Sequence, residues 1–145
     1  MAITSAICNS FKQEILEAEH NFTATTGNTF NLALYTSSAT LGAGTTAYTS
    51  TEEITNTSGS AYSAKGKALT SVTPTLDSST AVCDFADVSW TSASFTANGC
   101  LIFNDSHSTD AAVCAIAFGG DKTVSSGTFT IQFPAAATTA IIRIA

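Results

Sequence analysis

The stretch from residue 87 to residue 104 constrains the fold of this chain most. It holds the single Trp, Trp90, and closes on the densest apolar run, Cys100, Leu101, Ile102 and Phe103. A large indole and four consecutive apolar side chains read as the middle of a core. Nothing in the stretch carries chemistry. Asn98 and Gly99 interrupt it and admit two readings. As a dipeptide they signal a hairpin; inside an apolar run the glycine marks a bulge. One continuous, bent strand is the favoured reading.

The rest of the chain is organised around that run. Residues 5–20 hold the one clear helical period: Cys8, Phe11, Ile15 and Ala18 fall on one stripe, widened by Ile7 and Leu16. Ser5 is the expected N-cap, with Thr4 as an alternative. Three Glu toward the C-terminal half oppose the helix dipole, so the last turn should be weak. His20 is expected to cap the last carbonyls. The helix should lay one side on a sheet; docking on a partner is the alternative. Residues 30–35 alternate as a half-buried strand with Phe30, Leu32 and Leu34 on one face.

Residues 36–63 are rich in Ser, Thr, Gly and Ala. A structureless loop of that length is improbable inside a compact domain. Short turns or edge strands near Tyr48 and Ile54 are expected, or an arm ordered by a neighbour, and this region is the expected contact surface. The second half reads as closely spaced strands: 67–76 with a bulge or register change and Pro74 at an edge, 81–85, 88–90, 93–104, 111–118, 128–133 and 140–145. Turns are expected at 77–79, 104–110 and 119–121. The sum is mainly β, one β-rich domain over 1–145. It is an antiparallel β-sandwich or barrel of seven to nine strands over 29–145, with one N-terminal α-helix.

Composition narrows the function. Charged residues make up 11% and the net charge is −6. Ser and Thr fill the gap left by charge. A hydroxyl-rich surface with little charge suits a protein packed among other chains, because charge normally supports solubility. Five dispersed Lys and Arg argue against nucleic-acid binding, which needs several cations on one face. Anionic membranes are disfavoured for the same reason, and no apolar run approaches the ~20 residues of a membrane span. The first residues lack a basic region and a long apolar core, so no secretory signal is expected. The protein should be made in a cytoplasm and remain there until assembly or lysis.

Candidate chemical groups are few. Cys8, Cys83, Cys100 and Cys114 form no closely spaced pair, and the expected state is four buried free thiols. His107 sits in a polar turn with Ser and Asp neighbours, but sequence neighbours in a turn do not make a triad. Asp84 and Asp87 are the nearest approach to paired glycosidase carboxylates, with Trp90 as a sugar platform; the simpler reading is solvated acids at a strand turn. Asp105, Asp110 and Asp121 lack calcium-loop spacing. Trp90 or Tyr62 would be the stacking ring of a glycan-binding module. The expected sets of catalytic, cofactor and metal residues are therefore empty. Three sequons, at Asn21, Asn56 and Asn104, are what this Ser and Thr content gives by chance.

Several segments together resemble a family of small structural proteins of tailed bacteriophages. They are ICNSFKQEIL at 7–16, LALYTSSATL at 32–41, VSWTSA at 88–93 continuing to ANGCLIFN at 97–104, TFTIQFP at 128–134 and IIRIA at 141–145. The resemblance spans nearly the whole chain. In that family the position of Asn98 is often Arg and that of Cys100 often Ala, which implies a bulged strand at Gly99 and no essential disulfide. It implies a virion component without catalytic residues: a capsid decoration (cement) protein bound to the major capsid protein, and a homo-oligomer in the particle. A neck, tail or fibre component is the alternative.

Overall fold

In the computed structural model, which describes residues 2–55 and 58–145, the chain builds two antiparallel sheets. The larger has five strands in the order β1 (Ala6–Ile7), β7 (Ala111–Ile131), β6 (Val88–Asn104), β2 (Phe30–Tyr35) and β3 (Lys67–Ala68). The smaller has three, in the order β4 (Ser71–Asp77), β5 (Thr80–Phe85) and β8 (Ile142–Ile144). Both sheets are open at their edges, so the sandwich reading stands and the barrel alternative falls.

The favoured reading of residues 93–104, one continuous bent strand, is correct, and the separately expected strand at 88–90 merges into it. β6 runs unbroken for 17 residues. Its register against β7 shifts between Ala97 and Gly99. Gly99 is required there: an added Cβ would lie 2.6 Å from the Ile116 carbonyl oxygen and 2.8 Å from Ile3. Gly119, Gly120 and Asp121 do not turn the chain. β7 passes through them, and residues 118–121 of β7 face the single residue Asn98 of β6. Gly119 and Gly120 take positive φ, 73° and 143°, conformations open to glycine. Turn-forming residues make a bulge when the strands on either side keep their partner.

The helix α1 spans Asn9–Leu16, not 5–20. Its first expected turn is extended instead, because Ala6 and Ile7 pair with Ala115 and Cys114 at the edge of β7. Cys8 takes the N-cap position without a capping side-chain bond, its thiol donating to the Gly42 carbonyl, and Ser5 accepts a hydrogen bond from the Ala117 N–H. The helix ends earlier than expected: Glu17 is the C-cap, Ala18 has φ 62° and the Glu19 N–H closes back on the Glu14 carbonyl at 3.0 Å. Phe11 and Cys8 are buried on the sheet, whereas Leu16 is 88% exposed and does not widen the apolar stripe. Residues 67–76 form two strands in different sheets, with Leu69 and Thr70 between them. Pro74 falls in the irregular step of edge strand β4, between Val72 and Thr75.

β2 is buried on both faces, not half-buried. Phe30, Leu32 and Leu34 lie level with Asn104, Ile102 and Cys100 of β6 and face the small sheet. There Phe30 stacks on Phe22 at 4.2 Å between ring centroids and meets Phe85 at 5.9 Å. Tyr35 and Phe103 face the other way, and the chain of 36–63 covers them. No strand of more than a single bridge forms among the described residues of that region; the bridges are Leu41 to Ile3, Ala47 to Ala111 and Glu53 to Tyr35. Its order comes from this domain's own sheet. Asn56, with its sequon, lies outside the described residues.

Candidate functional site

Four clusters hold the residues that the sequence singled out. The first anchors the 36–63 region. Glu53 is 8% exposed and its carboxylate accepts three hydrogen bonds: from the Tyr48 hydroxyl at 2.6 Å, the Tyr62 hydroxyl at 2.7 Å and the Lys65 N–H at 2.7 Å. Tyr62 in turn accepts from the Leu34 N–H at 2.9 Å, and Tyr35 donates to the Thr49 carbonyl at 2.7 Å. Burial, then the Glu53 carboxylate, holds Tyr48 protonated up to about 12. Burial first also raises Tyr35 and Tyr62 far above the phenol range. A buried carboxylate with three donors is stabilised as a structural acceptor. The cue in the sequence is a lone Glu pair between Tyr48 and Ile54 in a stretch otherwise poor in charge.

The second cluster joins the helix end to the β6–β7 turn. His20 does not cap α1. Its side chain is fully buried, with Nε2 donating to Glu14 Oε2 at 2.8 Å. Its Nδ1 lies 3.1 Å from Asn104 Nδ2. Asn104 Oδ1 accepts from the Ser106 N–H, which orients the amide with its NH2 toward His20, so Nδ1 is an acceptor. Asn104 itself is buried. The His107 ring stacks on His20 at 6.2 Å; its Nε2 meets Glu19 at 3.3 Å and its Nδ1 accepts from Thr109. Both imidazoles are occupied in joining elements, and neither faces a hydroxyl nucleophile from another strand.

The third is the set of Asp residues. Asp105 and Asp110 converge on the Lys65 ammonium, at 2.9 and 2.8 Å. Their hydrogen bonds, Asp110 first, raise the Lys65 pKa. A lysine occupies the place that a shared cation would need. Asp121 lies apart, accepting from Asn98 across the bulge at 2.8 Å. Asp84 accepts from the Phe85 N–H and Asp87 from the Phe133 N–H. They do not face each other across a cleft.

The fourth is aromatic. Trp90 and Tyr62 are 1% and 0% exposed, with ring centroids 6.0 Å apart, and Phe95 packs edge-on to both. Lys67 Nζ lies 5.6 Å from the Trp90 ring centroid and donates to the Ser89 carbonyl. The two rings expected to stack on a sugar are core residues and offer no face to a ligand.

The four cysteines are free and buried. Burial pushes the Cys8 thiol up to about 11 and those of Cys83 and Cys100 up to about 12. Cys114 is raised in the same direction, for the same cause first. Thiols held protonated at neutral pH are poor nucleophiles.

What remains accessible is surface. Among the described residues the large apolar side chains left exposed are Leu16, Val72, Leu76 and Ile144. An apolar groove of about 140 Å³ opens between α1 and the small sheet, lined by Phe11, Ile15, Phe22, Ala81, Ile142 and Ile144 among others. Two cross-strand hydroxyl pairs lie on the exposed half of the β6–β7 hairpin: Ser89 with Thr130 at 2.7 Å and Thr96 with Thr123 at 2.8 Å. No protein family, curated protein or solved structure matches this chain.

Proposed function

We propose that this chain is a structural protein of a tailed-bacteriophage virion, a capsid decoration (cement) protein that binds and stabilises the lattice of the major capsid protein. One observation carries the reading. The two imidazoles, Glu53, Asp87, Asp105 and Asp110 each join one element to another and the four thiols are buried, while apolar groups at the mouth of the small sheet stay uncovered. Such a molecule has more to offer as a surface than as a reaction site. The hydroxyl-rich, weakly charged exterior and the resemblance over nearly the whole chain agree with it. So does the small-sheet mouth, since patches of exposed apolar surface mark interaction sites. The partners are virion proteins, including further copies of this chain in the particle, and not nucleic acid or membrane. No helix among the described residues is long and apolar enough to cross a membrane.

A cement protein gains and gives stability by binding the assembled lattice in preference to free subunits. The test is copy number in purified virions, with heating of particles that lack the protein. Stoichiometry with the major capsid protein, and capsids that fail at lower temperature without it, are expected. A few copies per particle would replace the capsid assignment with a neck, tail or fibre one. Absence from the particle would end the virion reading.

A further inference from the structure

The small sheet ends on an unguarded seam. β8 pairs with β5 through Ala81–Ile144, Val82–Arg143 and Cys83–Ile142, and among the described residues no strand lies on its other side. Ile142 and Ile144 share one face by strand alternation, and Arg143 takes the opposite one. The isoleucine face continues into the apolar groove walled by Phe11, Ile15 and Phe22. Ile144 is 61% exposed and Leu76, level with Ala81 in the same row of the sheet, is 72% exposed. The outward backbone groups of an edge strand are a template for one more strand. A groove of about 140 Å³ is close to the ~150 Å³ cavity that takes one benzene ring, so it admits a single large apolar side chain.

Charge selects the occupant. Arg143 is exposed and, among the described residues, makes no ion pair. A second copy pairing symmetrically about Arg143 would set two guanidinium groups opposite each other, an unfavourable cross-strand pair. An acidic residue at that place makes a favourable pair. We propose that the free edge of β8 docks an extended segment of a partner protein in which an acidic residue stands between two large apolar ones. One apolar side chain fills the groove against Phe11, Ile15 and Phe22, the other covers the exposed end of the isoleucine row, and the carboxylate faces Arg143. The mode is strand addition, in which backbone bonds give affinity and alternate side chains give specificity. It rests on the assembly reading only for the partner being another protein of the particle.

The test is a nuclear magnetic resonance titration of the full chain with two synthetic strand-forming peptides, one with a Val-Glu-Ile centre and one with Val-Lys-Ile. The Glu peptide is expected to shift resonances of residues 142–144, Phe11 and Ile15, and to bind roughly fivefold more tightly than the Lys peptide. Arg143→Glu should reverse that preference, and Ile144→Asp should abolish binding of both; both positions are exposed, so the fold should survive. Binding blind to charge, shifts confined to another surface, or no shift at all would overturn the proposal. So would a dimer of the free chain that buries β8. Copy number in the virion is a separate readout: a stoichiometric virion protein that ignores both peptides keeps the assembly reading and loses this site.

Discussion

The two halves of the β6–β7 hairpin are made by the same pair of strands and live in different surroundings. In the half next to the turn, residues 99–104 pair with 111–117, and Cys100, Leu101, Ile102, Phe103 and Val113 are fully buried. α1 and the small sheet cover one face, and the 36–63 region covers the other. In the far half, residues 88–97 pair with 122–131, and β7 is mostly exposed. Only one side there is closed, by Trp90, Phe95 and Phe129 packed together, with Tyr62 of the 36–63 region against Trp90 and Phe95. Strand pairing is common to both; the difference is that packing covers two faces in the near half and one in the far half. The register tells the same story. Irregular steps at 90–93, 93–95 and 97–99 crowd the far half, against one at 102–103 in the covered half, and Ser92 and Ser126 of the far half take positive φ. Such bulges twist a ribbon and blunt its edge against unwanted pairing.

If the covered half is the seat of stability, core deletions should separate the halves. Leu101→Ala should cost about 3–4 kcal/mol, and Val124→Ala under about 1 kcal/mol, in urea unfolding followed by Trp90 fluorescence. Equal costs would break the contrast. Glu53→Gln should cost about 2–3 kcal/mol, because one amide oxygen replaces a carboxylate that satisfies three donors. A cost near zero would mean that the covering layer contributes nothing. Gly99→Ala, at the boundary of the halves, should cost about 1–2 kcal/mol, because its Cβ meets the Ile116 carbonyl and Ile3.

A pH effect should also belong to the covered regions, since no cysteine lies in the far half. The thiols of Cys8, Cys83 and Cys100 are raised in the fold from the ordinary 9.0 to about 11–12. A raised value favours the protonated form in the native state. Their contribution is therefore complete below about pH 9 and lost as pH climbs through 11–12. Urea midpoints should hold steady to pH 9 and fall above it, and native protein at pH 8 should resist iodoacetamide at all four thiols. The smallest effect is expected at Thr123→Ala, which removes one exposed hydroxyl pair, about 0.5 kcal/mol or less.

The sequence made the covered half easy to see and its cover hard to see. Residues 100–103 read as core because four apolar neighbours in a row have only one use. Residues 36–63 look like an arm for a neighbour because few of them are large and apolar. Their attachment depends on Glu53, Tyr48 and Tyr62 meeting in space, and on backbone bonds such as Ile54 N–H to the Leu34 carbonyl at 2.9 Å. No period records either. The helix shows the same limit: Ile7 has helical spacing with Phe11, yet the free edge of β7 gives it and Ala6 sheet partners. His20 and Asn104 were opaque because a buried imidazole and amide are recognised by their partners, which lie 84 residues apart. Gly119 and Gly120 carried a turn signal that was sound for the backbone and silent on whether the strand resumes.

Native-state hydrogen exchange on the isolated chain tests most directly whether the 36–63 region is a layer of this domain or an arm for another. The amides of Tyr48 and Ile54, bonded to the Asp110 and Leu34 carbonyls, should exchange as slowly as those of β2, through unfolding of the whole domain. Rapid exchange at both positions, with β2 still protected, would contradict the account. It would return that region to the surface left waiting for a partner.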